Sequence, residues 1–480
     1  CLGGICGGIS SASHLWILLM PFSLMFLWNG IDKNNSNFLW GFSFVSLSHI
    51  WLLSLHPLTW LGIPWLVSLI ISIIIWLSCS LFGGFLVFSW GLIGKFLFFK
   101  RNCLEQNKFE LIANVTILSF IWAFGEIFLS QTPFFWIGLG ESLVPSDLYL
   151  AGLARWIGAP GLTIIQLIFG FWIFFICKRC KKNLSTNKIL LNGICLISFL
   201  HIVGFVLIMP EQRVLEHPVS IWQTNIPTRE KSFVSNEKMK QAFFNSQKIA
   251  ISQNADLLLA PEGTLRSDFI LETPSKIDTL IGGFRKDKRY LKSSLLFFKK
   301  GEKVHINFKD KYRLVPLGER VPKFLSITKR GLSSVGGIEN GIKSRLFKFE
   351  KDFISPVAVA ICYEISDGIN IINAARNGSK VILSISNLDP YPPILQRQFL
   401  SLARLRSIEN NRDMILAANT GPSGLIRNDG RIDKLSSSNV SDTMLVFPNF
   451  FSKKTFYTNF GIKPFFIVFM VFILMKRLTY

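Results

Sequence analysis

The sequence predicts two architectures in one chain: a multi-span α-helical membrane domain and, after it, an α/β extramembrane domain. Three observations carry that expectation. Half of the 480 residues are hydrophobic, with 45 Phe and 13 Trp and a mean hydropathy of +0.39, too apolar for an ordinary soluble protein. Residues 1–210 read as successive apolar segments of about bilayer-crossing length. From 211 to 461 the pattern changes to short β-rich runs alternating with amphipathic helices, and one more apolar segment closes the chain within 462–480.

In chain order the apolar segments fall near 15–29, 37–57, 63–90, 111–130, 156–177 and 188–209, with the last at 462–475. Residues 1–9 read as the remainder of another, since the chain starts at Cys1 without a methionine and upstream residues are expected. The expectation is therefore eight crossings, the first incomplete. Orientation follows from Lys and Arg in the short loops. The stretches 94–108 and 177–188 are basic, as is the terminal MKRLTY, whereas 131–153 contains neither Lys nor Arg. Counting crossings from the basic loops places 211–461 on the non-cytoplasmic side.

The formal net charge of +22 raises the possibility of a nucleic-acid partner. The basic residues outside the membrane anchors are scattered rather than laid along one helix, which argues against it. Anionic lipid headgroups are the partner such a membrane-held surface fits. A cleaved secretory leader is excluded for the early segments by the spans that follow them.

Within 211–461 the strand candidates are 219–226, 255–262, 303–308, 356–364, 380–386, 414–419 and 424–429, and helical patterns fit 236–253 and 397–412. In the second helix Phe399, Leu402, Leu405 and Ile408 recur along one side. The runs DLLLA and VAVAI are apolar throughout, as strands covered on both faces are.

Cys362 closes the run PVAVAICYE and is the one cysteine of the extramembrane stretch; the other seven lie in or beside the apolar segments. Such a thiol is either a small buried hydrophobe or a nucleophile that draws a base and an oxyanion partner from elsewhere. Glu262, closing ADLLLAPE, and Lys311, opening KYRLVPLGERVP, lie at other strand ends. Together the three are the residue types that acyl transfer through a thioester needs: a proton acceptor, a cation facing the oxyanion, and a thiol.

The Glu–Lys–Cys order, in the contexts APEG, LVPLGExVP and ICYE, resembles the nitrilase (carbon–nitrogen hydrolase) superfamily. Carried between membrane spans, it resembles one branch, the apolipoprotein N-acyltransferases. The likeness extends to Trp122 and Glu126 in one membrane helix, TNIP at 224–227, NTG at 419–421, and the Ala403, Arg404, Arg406, Glu409, Arg412 pattern. It implies a nitrilase-like α-β-β-α sandwich, with Glu262 as general base, Lys311 as oxyanion stabiliser and Cys362 as nucleophile. Glu319, Tyr363 and Glu364 match supporting positions. The implied reaction moves a fatty acyl chain from a phospholipid to the α-amino group of an apolipoprotein's N-terminal diacylglyceryl-cysteine, without metal or cofactor. The implied location is the bacterial inner membrane with the catalytic domain periplasmic. A membrane-anchored amidohydrolase, resolving the same thioester with water, is the alternative, and the number of spans speaks against it.

The stretch 386–398 departs from the family, keeping Asn387 but lacking its Trp–Phe pair and carrying Arg397 where a His is usual. The aromatic expected after the TNIP turn is Trp in the family; Phe233 is the nearest here. Phe233, Asn387 and Tyr391 are thus candidates for a substrate loop. Lys311 is expected to lower the pKa of the Cys362 thiol. The single CKRC pair at 177–180 and the six scattered His carry no zinc pattern. Trp60, Trp65, Phe134, Phe135 and Trp136 read as an interfacial aromatic belt.

Overall fold

The computed structural model describes the whole chain except residues 32–34, 99–102, 211–216, 228–235, 267–269, 272, 289, 317, 320–336, 350–354, 390 and 479–480. It divides into two compact units, one of Cys1–Pro57, Pro64–Met209 and Asn459–Tyr480, the other of Leu58–Ile63 and Pro210–Thr458.

Among the described residues of the first unit, four helices are long and apolar enough to cross a membrane: Trp65–Phe96, Lys108–Ser130, Ala154–Cys180 and Asn187–Leu207. The other four expected crossings form shorter apolar helices, Leu2–Ser10, Trp16–Asn29, Ser36–Ser48 and Lys463–Leu478. None of those four reaches the ~20 residues that a straight crossing takes. In the 37–57 segment the α-helix ends at Ser48 and a 3-10 turn over Ile50–Leu55 follows, leading into Pro57, which cannot continue a helix. Ala154–Cys180 is kinked where Gly158 adopts φ 57°, two residues before Pro160.

An acidic side chain in an apolar span is costly unless it is paired. Glu126 meets that demand on the Lys108–Ser130 helix. Trp122 Nε1 and the Leu139 peptide N–H donate to its Oε1 at 3.0 and 2.9 Å, and Thr163 Oγ1 donates to Oε2 at 2.6 Å. The Trp122–Glu126 spacing puts both side chains on one helix face, and the carboxylate ties the turn at Leu139 to the Ala154–Cys180 helix.

The second unit is a layered α/β domain built on two six-stranded sheets. The strands are β1 Val219–Gln223, β2 Leu257–Leu265, β3 Asp278–Asp287, β4 Tyr290–Phe298, β5 Asn307–Asp310, β6 Leu346–Phe347, β7 Val357–Ile361, β8 Val381–Ser386, β9 Met414–Ala418, β10 Gly424–Ile426, β11 Ile432–Leu435 and β12 Asp442–Val446. One sheet has the order β12-β1-β2-β3-β4-β5 and the other β11-β10-β9-β8-β7-β6. The central pairs β1/β2, β2/β3, β7/β8 and β8/β9 are parallel, and antiparallel strands close the edges.

Strand alternation explains the layers. Leu257 and Leu259 of β2 pack with Val357, Val359 and Ile361 of β7 in a core between the sheets. Leu258 and Ala260 point the other way, onto Phe243 and Ala250 of the Asn236–Ser252 helix. The helices Gly368–Arg376 and Pro393–Asn410 cover the second sheet's outer face, packing on β7 and β9. The order helix, sheet, sheet, helix results.

Several elements differ from expectation. The hairpin β3–β4 is not among the expected strands: Gly282 and Gly283 weaken its strand signal, and the charged RKDK at its tip reads as a surface loop. β5 starts at Asn307, where 303–308 is the expectation; β11 is a short, exposed edge strand, and β12 a short edge strand of which only Met444 and Val446 reach the core. β7 stops at Ile361, excluding Cys362, whose φ of 52° leaves the extended region.

Gly282 permits the close approach of β3 to β2. A Cβ there would stand 2.3 Å from the carbonyl oxygen of Pro261 and 2.4 Å from Cα of Glu262. Gly282→Ala should therefore destabilise the domain by about 1–3 kcal/mol, the usual range for overpacking, and displace Glu262. Chemical denaturation checks this, and an unchanged midpoint would contradict so close a contact.

Candidate active site

Glu262 sits where β2 breaks register. Ala260 faces Ile281, but Leu265 faces Gly283, so the stretch between bulges away from β3. Pro261 has no N–H for the ladder, and Gly263 takes φ 66°, a turn that suits glycine. A bulge of this kind re-aims a side chain. The buried Glu262 carboxylate accepts from Ser293 Oγ at 3.3 Å and from the Asn387 peptide N–H at 3.2 Å.

Lys311 follows edge strand β5. Its peptide N–H donates to the Ser293 carbonyl at 2.8 Å, and its carbonyl accepts from Gly341 N–H at 2.7 Å. The side chain is fully buried and donates to Glu262 Oε1 and to Glu319 Oε1, each at 2.8 Å. The other oxygen of Glu319 accepts from Val315 N–H at 2.9 Å, which holds the short turn that delivers it.

Cys362 begins a 3-10 turn, Cys362–Ser366, directly after β7. Its left-handed φ of 52° costs a non-glycine residue about 1–3 kcal/mol, a strain that persists only where neighbours enforce it. Glu364 is one such neighbour, its Oε2 accepting from Ile361 N–H at 2.8 Å. The Asn387 peptide N–H also reaches the Cys362 thiol.

Burial opposes a charge on Lys311, but the Glu262 and Glu319 carboxylates outweigh it and hold the ammonium well above its ordinary range. Burial pushes the Cys362 thiol up, the Glu262 carboxylate adds to that, and Lys311 pulls the other way without prevailing. Lys311 thus acts in the expected direction, but burial and Glu262 outweigh it and the net shift is upward. Burial likewise raises Glu319 despite the opposing pull of Lys311.

Glu262, Lys311, Glu319, Cys362 and the Asn387 peptide thus form one cluster. Tyr391 belongs to it as well: burial, then the charges at Cys362 and Glu319, push its phenol up. The Asn387 side chain turns away, its Oδ1 accepting from Asn419 Nδ2 at 3.0 Å. Asn419 in turn bonds Thr224 and Ile226, joining the NTG and TNIP segments. Tyr363 lies under the Arg313 guanidinium, 4.8 Å from ring centroid to Cζ. Glu364 is fully buried against Arg345. Phe233 lies outside the described residues.

Ser293 and Arg345 are the polar groups that sequence reasoning passes over. Ser293 belongs to the unrecognised hairpin, and Arg345 precedes a two-residue strand with no motif around it. Among the described residues no group of His, Cys, Asp and Glu is placed to hold a metal ion. A thiol, a proton acceptor and a fixed cation in one cluster supply what acyl transfer through a thioester requires.

No family model matches the chain. It is 52% identical over 468 residues to an apolipoprotein N-acyltransferase of Prochlorococcus marinus subsp. pastoris, covering 98% of this chain and 94% of that protein. It is 43% identical to the apolipoprotein N-acyltransferase of a second Prochlorococcus marinus strain, over 90% of this chain and 87% of the relative. Among solved structures, a nitrilase-superfamily amidase from Nesterenkonia aligns with 52% of this chain and 95% of its own, at 12% identity and a TM-score of 0.38. On the strength of the sequence relatives, the chain belongs to the apolipoprotein N-acyltransferase family, whose members are acyl-transferring enzymes.

Proposed function

We propose that the protein transfers a fatty acyl chain from a membrane phospholipid to the α-amino group of the N-terminal diacylglyceryl-cysteine of apolipoproteins, in two half-reactions through a thioester on Cys362. The observation that carries this reading is the convergence of Glu262 and Lys311 on one half-buried thiol, in a chain 52% identical to an apolipoprotein N-acyltransferase.

In the first half-reaction Cys362 Sγ attacks the ester carbonyl carbon while Glu262 takes the thiol proton. The oxyanion that forms faces the Lys311 ammonium, whose charge its two carboxylate partners keep in place. Collapse breaks the bond to the glyceryl oxygen, which leaves with the proton from Glu262 as a lysophospholipid. In the second, the lipoprotein amine attacks the thioester carbonyl. Glu262 accepts a proton from the amine and returns one to the departing sulfur, leaving an amide and the original thiol. Glu319 orients Lys311, Tyr363 and Glu364 support the nucleophile turn, and Tyr391 belongs to the loop that meets lipid. All steps draw on side chains alone.

Both substrates are lipids, which suits a chain with long apolar helices. The basic loops support an inner-membrane protein organised as helices over 1–210, a periplasmic catalytic domain over 211–461 and a terminal helix over 462–480.

Two measurements test the reading. Incubation with phospholipid and a diacylglyceryl peptide should yield lysophospholipid and N-acylated peptide by mass spectrometry; free fatty acid in their place would indicate hydrolysis. Glu262→Gln, which keeps shape but accepts no proton, should lower the rate about 10²–10⁴-fold. A separate pH measurement follows from the raised thiol. Alkylation of Cys362 should rise with pH to a midpoint above the ~8.5 of an ordinary cysteine, and Lys311→Met should move it higher still. A midpoint below the ordinary value would contradict the electrostatics of the cluster.

A further inference from the structure

Arg345 has no part in the chemistry above, yet it is among the largest fully buried side chains of the protein. Its Nη1 donates to both oxygens of Glu364 at 2.8 Å, and its Nη2 donates to the Asp310 carbonyl at 2.9 Å and to the Ile342 carbonyl. Its guanidinium lies 4.8 Å from the ring centroid of Tyr312. Glu364 completes the clamp, its Oε1 accepting from Tyr312 N–H at 2.7 Å and its Oε2 from Ile361 N–H at 2.8 Å.

Three of the residues so held have one property in common. Asp310 and Tyr312 are the immediate neighbours of Lys311, and Ile361 is the immediate neighbour of Cys362. Lys311 hangs from the first sheet and Cys362 from the second, and besides packing between the sheets the Tyr312–Asp367 and Arg313–Asp367 contacts join their segments at the far end of the turn that Cys362 begins. A buried ion pair is a poor source of stability, because desolvation offsets most of its attraction. Its use lies in fixed geometry: the planar, five-donor guanidinium holds a carboxylate and a carbonyl in a rigid fork, a constraint that the rotatable ammonium of a lysine does not impose.

We propose that Arg345 is a positioning residue: by clamping Glu364 to the main chain on either side of Lys311, it sets the separation between the Lys311 ammonium and the Cys362 thiol. This rests on the proposed roles of those two residues.

The test is Arg345→Lys in the full-length protein, read by the pH profile of Cys362 alkylation and by steady-state kinetics with phospholipid and diacylglyceryl peptide. The lysine keeps a buried positive charge for Glu364 but loses the grip on Asp310. The alkylation midpoint should rise by about one pH unit or more as Lys311 recedes, the displacement expected when an opposite charge leaves contact range. The rate constant kcat should fall about 10–100-fold with KM little changed, the scale of a misplacement near 1 Å. A wild-type alkylation profile in the folded variant would overturn the proposal, whatever the kinetics show. If Arg345→Lys does not fold, Arg345→Gln with Glu364→Gln, which buries no net charge, carries the same prediction and the same refutation. Alkylation needs no turnover, so failure of the thioester reading would show as absent acyl transfer in the wild-type protein and would be distinguishable from failure of the clamp.

Discussion

The constraint on which the catalytic unit depends is the burial of one ammonium. Lys311 Nζ is removed from water, and such a charge persists in a protein interior only with opposite charge in contact. Glu262 and Glu319 provide it from two directions, each at 2.8 Å. Each carboxylate then has its own geometric requirement. Glu262 needs the bulge at Pro261–Gly263 and the side-chain-free Gly282 beside it, and Glu319 needs the turn closed on Val315 N–H. The shape of the first sheet near the site is thus dictated by the charge it surrounds.

The second sheet answers with strain instead of charge. Cys362 is held at a left-handed φ by the Glu364 carboxylate behind it, and the thiol faces Glu262 and the Asn387 peptide. Burial raises that thiol while two carboxylates keep Lys311 charged, and the proposed mechanism gives the two groups different tasks. In the proposed mechanism the lysine stabilises the oxyanion without supplying a ready thiolate, and proton removal is assigned to Glu262. A resting thiol is also less exposed to oxidation than a thiolate, since reactivity follows thiolate character.

Much of this was legible in the sequence because it depends on local pattern. The apolar runs DLLLA and VAVAI announce buried strands, and Glu262 and Cys362 stand at or near their ends, where α/β domains present reactive groups. Trp122 and Glu126, four residues apart on an apolar helix, are likewise readable as a pair, and the structure adds Thr163 and the Leu139 peptide as their partners. What was not legible depends on long-range pairing. The β3–β4 hairpin is masked by its two glycines and charged tip, and Ser293 is lost with it. Arg345 lies 19 residues from Glu364, in a stretch with no periodicity, and only the meeting of two sheets brings them together. The net direction of the Cys362 shift was not legible for a related reason: the sequence shows Lys311, which does pull the thiol down, but not the burial that outweighs it.

The central claim is that Cys362 carries the acyl group between the two lipids. The most direct measurement is to incubate the protein with phospholipid in the absence of acceptor, quench in acid, and map the added mass by peptide mass spectrometry. The account predicts one acyl group on Cys362, released by hydroxylamine and discharged onto a diacylglyceryl peptide when that is added. An acyl group on another residue, or acceptor turnover with no acylated cysteine at any time, would contradict it.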